Sequence, residues 1–332
     1  MFNPIERYLQ IRRLGVLGMN RRNIRYIGRY NKRSVYPNVD NKLKTKLLAT
    51  SYKVQTPELI GVLETQHDIQ DLHSIVQGSE GFVIKPSKGS GGKGIILLRP
   101  TTDGQFEKLS GDAVTSNYIE THASNILSGL YSLGGKPDVA IIEALIIPDP
   151  VFDRYSYQGV PDIRVIVLQG FPVMAMVRLP TRQSDGKANL HQGAIGVGLD
   201  LGSGRATGAV QFDMPLTYHP DTGSLLSEIK VENWTTLLTL ASRCHPMSAL
   251  GYLGVDIVLD KKKGPVLLEL NARPGLTIQI ANSCGLLPRL RAVEKIKHAE
   301  RMSAEEKVAF SQKNFARPEA SSATPADTNT SV

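Results

Sequence analysis

The segment from Gly254 to Gly275 constrains this chain more than any other. An apolar run, Gly254-Val255-Asp256-Ile257-Val258-Leu259, is followed by the turn Lys261-Lys262-Lys263-Gly264. A second run then reads Pro265-Val266-Leu267-Leu268-Glu269-Leu270-Asn271, ending in Ala272-Arg273-Pro274-Gly275. Two apolar runs around a polar, glycine-containing turn predict an antiparallel hairpin. Glu269 and Asn271, two residues apart, project from one face of their strand, and Asp256 can point into the same space from its partner. A carboxylate inside Val-Leu-Leu-Glu-Leu is costly to bury without a cation or strong donors. Two carboxylates and an amide oxygen on rigid strands make a hard-oxygen set suited to Mg²⁺, or Mn²⁺, completed by phosphates and water. The hairpin therefore points to nucleotide chemistry, with Asp256, Glu269 and Asn271 as candidate metal ligands.

The 332 residues, 41% hydrophobic and 21% charged, describe a globular protein able to hold two or three subdomains. No apolar run approaches the roughly 18 residues of a membrane span, and residues 1–18 lack the continuous apolar stretch of a secretory signal. Cys244 and Cys284 have no metal-ligand spacing, so reduced thiols and a cytoplasmic setting are expected.

The net charge of +8 is concentrated. Residues 1–39 carry nine basic side chains against Glu6, and the rest of the chain is formally neutral. With Tyr8, Tyr26, Tyr30 and Tyr36 interleaved, this basic arm is expected either to pack on the body with its charges outward or to meet a protein partner or an anionic membrane surface, placing the protein peripherally at the inner face. No nucleic-acid-binding motif accompanies it, so nucleic acid is not expected as a partner.

Helices are expected at 41–52, 67–76, 112–133, 234–249 and 287–307, and strands at 81–85, 95–98, 139–147, 162–168 and 171–178. Residues 193–208 read as a glycine-rich stretch and 317–332 as a disordered tail. Hairpins with intervening helices predict an α+β architecture rather than a parallel doubly wound sheet. Between the first strands lies Ser87-Lys88-Gly89-Ser90-Gly91-Gly92-Lys93-Gly94. It is neither a Walker A sequence nor a dinucleotide fingerprint. A glycine-rich turn with two lysines between strands instead suits a flap whose amides approach a triphosphate. Lys85, at the end of Phe82-Val83-Ile84, would add a charge contact to phosphate; a snorkelling lysine is the bland alternative.

In this order, the pieces resemble an ATP-grasp ligase, closest to the RimK-like α-L-glutamate ligases. Asn41-Lys42-Leu43 resembles that family's Asp-Lys-Leu opening, Lys85 its second nucleotide lysine and 87–94 its flap. Ile141-Ile142-Glu143-Ala144-Leu145 resembles the segment beside adenine. Asp162-Ile163-Arg164 and Ala188-Asn189-Leu190-His191-Gln192 resemble its Asp-Ile-Arg strand and Asn-Leu-His loop, although Gln192 stands where relatives often carry a basic residue.

The resemblance covers about residues 40–290 and implies an ATP-grasp domain at 40–300. Its flap subdomain would span about 75–145 and its metal-bearing subdomain about 146–300, with the usual pre-grasp domain reduced to the arm. It implies ATP held by Lys42, Lys85, Lys88, Gly89, Ser90, Gly91, Gly92, Glu143, Ala144 and Leu145. Arg164, Arg178, Asn189 and His191 are its candidate catalytic residues, and Arg273 a weaker one. It implies an ATP-dependent carboxylate–amine ligase that adds glutamate or a similar amino-acid donor to a carboxylate acceptor through an acyl phosphate. The alternative is a catalytically weak nucleotide-binding module acting through the basic arm.

Overall fold

In the computed structural model, described here for residues 3–318 apart from Ser90, Asp103, Gly104 and Leu133, the chain forms two antiparallel sheets with helices packed on them. The smaller sheet contains β1 (Leu59–Leu63), β2 (Phe82–Pro86), β3 (Ile96–Pro100), β4 (Phe106–Lys108), β5 (Ala113–Val114) and β6 (Ala140–Ala144), in the order β1-β6-β2-β3-β4-β5. The larger contains β7 (Asp162–Leu168), β8 (Phe171–Leu179), β9 (Ile195–Leu199), β10 (Ala206–Gln211), β11 (Met214–Pro215), β12 (Tyr252–Asp260) and β13 (Gly264–Asn271), in the order β11-β10-β9-β8-β7-β12-β13. This is the α+β architecture expected from the hairpins.

Each sheet has its own core. Phe82, Ile84, Leu98, Ile119, Ile126 and Ile142 pack under the small one, and the helix Ser116–Leu127 covers it. Thr115 caps that helix by accepting the Tyr118 N–H, and Gly129, at φ +87°, takes the chain out of it. The helix is shorter than the predicted 112–133 because β5 occupies its first residues. Under the large sheet, β7, β8 and β12 are buried almost throughout, against the helix Trp234–Ser248.

Three expectations change. The glycine-rich stretch 193–208 contains β9 and the start of β10. Gly198 is required inside β9 because a Cβ there would lie 2.5 Å from the Ala281 carbonyl oxygen of the helical turn Ile278–Ala281. The predicted helix 287–307 is broken: Leu287–Glu294 is helical, His298 adopts a left-handed φ of +57°, and Ser303 with Glu306 forms a capping box that starts a new helix, Ala304–Phe315. Arg317, the first residue of the predicted tail, is held on the body: its backbone N–H donates to Asp200 and its guanidinium donates to the Thr207 and Asn282 carbonyls. Residues 319–332 lie outside the described residues.

The basic arm is part of the fold. Residues 14–40 pack on the large sheet and contribute Leu17, Tyr26, Ile27 and Val39 to its core. Asn31 is buried and ties them down: its side chain donates to the Tyr252 carbonyl (2.7 Å) and the Ala272 carbonyl (3.2 Å) and accepts from the Tyr252 N–H (2.9 Å). Arg13, Arg21, Arg25, Arg29, Lys32 and Arg33 remain exposed.

Candidate active site

The hairpin expected at 254–275 forms as β12 and β13, with one irregularity in its register. Asp256 pairs directly with Glu269, Gly254 pairs with Asn271, and a bulge follows Asp256, so the three candidate ligands share one face of β12 and β13. Their environments differ. Asp256 is buried, whereas the Glu269 side chain is about half exposed, at 48%, and lines a cleft between β13 and the small sheet.

Asp256 belongs to a quartet of charges across β7, β8 and β12. Arg164 holds it with two hydrogen bonds, Nε to Oδ1 at 2.7 Å and Nη2 to Oδ2 at 2.5 Å, and Arg178 reaches Oδ2 at 2.8 Å. Arg178 also forks onto Asp162, its cross-strand partner. Burial raises the Asp256 carboxyl pKa, but Arg164 and Arg178 outweigh it and hold the group at about 2. Asp162 is pushed up to about 6, first by burial, against the Arg178 charge and with the Asp256 charge adding to the rise. The sequence reading had not singled out Asp162 as a site residue. Its place two residues before Arg164, on the same face of β7, is the available signal.

Among the described residues no three His, Cys, Asp or Glu side chains converge as a metal cage. Glu269 and Asn271 nonetheless fit a Mg²⁺ ion that takes one or two protein oxygens and completes its shell with phosphates and water. Asp256 already accepts three arginine hydrogen bonds, one on Oδ1 and two on Oδ2, which leaves one acceptor position on Oδ1 for an ion.

Opposite β13, a narrow cleft is lined by Lys42, Lys46, Lys85, Glu143 and Glu269, among others. Lys46 was not anticipated. It lies one turn after Lys42 on the helix Lys42–Ser51, which Asn41 caps by accepting the Lys44 N–H. Glu143 lies 2.9 Å from Lys46 Nζ and 2.6 Å from Lys85 Nζ, and all three side chains are buried. Burial lowers the Lys46 pKa; the Glu143 charge opposes this and the Lys85 charge adds to it. The Lys46 ammonium also donates to the Pro57 carbonyl. Lys42 instead spans the cleft: its Nζ donates to the Gly89 carbonyl at 2.7 Å and lies 3.5 Å from Glu269.

The flap base is fixed by Asp138, another residue missed in the sequence. Its carboxylate accepts from Ser87 Oγ, Ser132 Oγ and the backbone N–H groups of Lys88 and Val139. Burial raises its pKa, and those hydrogen bonds more than reverse the rise, so it stays ionised. The Lys88 amide is thus committed to Asp138, and its side chain is exposed. Gly91, Gly92 and Gly94 take left-handed φ values of +63°, +74° and +74°; a Cβ on Gly94 would sit 2.5 Å from the Tyr131 ring. Ser90 lies outside the described residues.

Other predicted site residues fall elsewhere. Ala144 and Leu145 line a second hollow of about 440 Å³ with Ile147 and Val266, and their amides donate to Glu58 and Gly81 carbonyls. Strand alternation puts Ala144 on the face opposite Glu143, which meets the lysines, and Leu145 lies past the end of β6. Asn189 caps the short turn Leu190–Gln192 by accepting the His191 N–H at 3.0 Å. His191 is exposed at the mouth of a third groove, which also contains Arg22 of the N-terminal segment.

Two antiparallel sheets around a lysine-lined cleft, with acidic groups on a terminal hairpin, define an ATP-grasp fold. The chain belongs to the sugar-transfer associated ATP-grasp family, whose profile matches residues 21–295. No curated protein matches it. Among solved structures, D-cycloserine synthetase DcsG aligns at 15% identity with a TM-score of 0.45, covering 79% of this chain and 70% of that one. ATP-grasp ligase PsnB complexed with a minimal precursor aligns at 15% identity and 0.44, covering 80% and 63%. D-alanyl-alanine synthetase A from Vibrio cholerae aligns at 12% identity and 0.42, covering 84% and 66%. The chain thus spans less than two thirds of the PsnB and D-alanyl-alanine synthetase chains.

Proposed function

We propose that the protein is an ATP-dependent carboxylate–amine ligase. The observation that carries this reading is the cleft itself, where Lys42, Lys46 and Lys85 face Glu269 of the metal hairpin. Three ammonium groups beside hard oxygen ligands suit a polyphosphate bound with its cation.

In the reaction, a substrate carboxylate oxygen attacks the γ-phosphorus of ATP, and the bond to the β-phosphate oxygen breaks, releasing ADP. An amine then attacks the acyl carbon, loses a proton and expels phosphate, leaving an amide. Lys46 and Lys85 would hold phosphate oxygens, with Glu143 orienting both ammonium groups. Lys42 would join the flap to the hairpin, and the amides around Gly91 and Gly92 would cover the phosphates. Glu269 and Asn271 would hold Mg²⁺, which supplies charge neutralisation to the transferring phosphoryl group when bound. Arg164 and Arg178, buried in one neutral quartet, would offer their outer N–H groups to the substrate carboxylate or its tetrahedral adduct.

Glutamate or a similar amino acid as the amine, as in RimK-like enzymes, remains part of this proposal through the Asp-Ile-Arg and Asn-Leu-His segments. One observation favours the rival, a nucleotide-binding module of weak activity: both Asp256 oxygens already accept arginine hydrogen bonds. Turnover separates the two. Purified protein with ATP, Mg²⁺ and a panel of amino acids and acidic peptides should release ADP only when acceptor and amine are both present, and Glu269→Ala should abolish it. Tight ATP binding with no turnover on any acceptor would sink the ligase.

A further inference from the structure

A wide groove of about 950 Å³ lies between the N-terminal segment and the β10–β11 edge of the large sheet. Its walls are apolar: Leu14, Val16 and Met19 on one side, Leu216, Leu276 and Ile280 on the other. Leu14 is 54% exposed, Met19 65% and Ile280 43%, so large hydrophobic side chains face this space without a partner. The walls are preformed. Gln279 accepts the Leu17 N–H at 2.8 Å and donates to the Leu17 carbonyl at 3.1 Å, while Leu287 N–H donates to the Gly15 carbonyl.

Charge and position narrow the occupant. Among the described residues no Asp or Glu lines the groove, and Arg22 is its charged side chain, anchored on the Pro274 carbonyl at 2.9 Å. Arg13 and Arg21 are exposed on either side of the Leu14–Met19 wall. The groove is also close along the chain to the proposed site. Gly275 in its wall is four residues past Asn271, at most about 14 Å along the chain, and His191 at its mouth is two residues past Asn189. An amino acid would leave most of these walls wet, since the space of about 950 Å³ lies at the upper end of the roughly 300–1,000 Å³ of small-ligand sites. The chain's own residues 319–332 offer Val332 as their one large aliphatic side chain and cannot fill it.

We propose that this groove seats the apolar chain of the carboxylate substrate, so that the ligase acts on an anionic amphiphile whose head reaches the hairpin while its tail lies between the N-terminal segment and the sheet edge. The inference rests on the ligase reading for the fate of the carboxylate, but its test does not need turnover.

Cys284 lines the groove, and the other cysteine, Cys244, is fully buried in the core. Maleimide labelling of the folded full-length protein, read by mass spectrometry, therefore reports Cys284. Sodium dodecanoate, kept below its micelle concentration and without nucleotide, should slow labelling at least about tenfold more effectively than octanoate, since a fully buried methylene changes affinity about fourfold. Acetate should have no effect. Leu14→Asp and Ile280→Asp, both at exposed positions, should each remove the protection, and Arg22→Glu should weaken it. Equal protection by acetate and dodecanoate, or protection that survives both aspartate variants, would overturn the groove assignment. Binding to phosphatidylglycerol vesicles with no protection by monomeric dodecanoate would overturn it in favour of a membrane surface. Acceptor-dependent ADP release with acidic peptides but no protection would overturn the amphiphile and leave the ligase standing.

Discussion

Replacing Glu143 with glutamine removes the charge that two buried lysines share while keeping the volume. The carboxylate is 2.9 Å from Lys46 Nζ and 2.6 Å from Lys85 Nζ, and each of the three side chains is less than a tenth exposed. Removing one partner of a buried ion pair costs about 3–5 kcal/mol because the other charge stays desolvated. Two charges are stranded here, so the upper part of that range is expected near neutral pH. The sign of the pH dependence follows from Lys46, whose pKa burial already lowers from 10.5. The unfolded chain then binds more protons as pH approaches that value, so stability rises with pH across the window. Glu143→Gln should steepen this rise. Urea unfolding at neutral and mildly alkaline pH would show a loss of about 4–5 kcal/mol that shrinks as pH rises. Adding Lys46→Met to the variant should recover part of it, since the two sites are coupled through one carboxylate. A single variant within about 1 kcal/mol of wild type, or a double variant less stable than the single, would refute the shared-counterion account.

Four further outcomes are expected. Asp162→Asn should remove a fall in stability between about pH 4 and 6: the folded carboxyl titrates near 6 rather than 3.8, so the native state holds the extra proton there and loses that advantage, roughly 3 kcal/mol, as pH rises. Urea midpoints across that range check it. Gly285→Ala places a Cβ 2.2 Å from the Gly15 backbone and should loosen the N-terminal segment, seen as faster tryptic cleavage at Arg13 and Arg21. Asn31→Ala strands the Tyr252 amide and two carbonyls and should cost about 1–3 kcal/mol in thermal or urea unfolding. Lys85→Ala should weaken ATP binding by calorimetry far more than Lys88→Ala, whose side chain is exposed and whose amide already serves Asp138.

The elements legible in the sequence were those whose local pattern agrees with their tertiary role. β7 and β8 are apolar runs around the Gln169-Gly170 turn, and they sit where the pattern put them. β9 was not legible, because Gly196 and Gly198 read as loop residues; Gly198 is there because the Ala281 carbonyl leaves no room for a side chain. The break after Glu294 was equally hidden, since helical spacing continued past it while His298 left the helical region.

The same division runs through the site. Residue type and period-2 spacing alone put Asp256, Glu269 and Asn271 on one face, because alternation along a strand and pairing across a hairpin are local rules. Lys46 gave only a weak signal, as one lysine among several on a polar helix. Its role exists because the helix Lys42–Ser51 packs where β2 and β6 bring Lys85 and Glu143 within reach. The N-terminal segment shows the contrast most plainly. From its sequence it is a basic arm, charge being a sum over residues. Its apolar residues and Asn31 become a wall of the large sheet only through partners more than 200 residues away, and no local pattern encodes contacts at that distance.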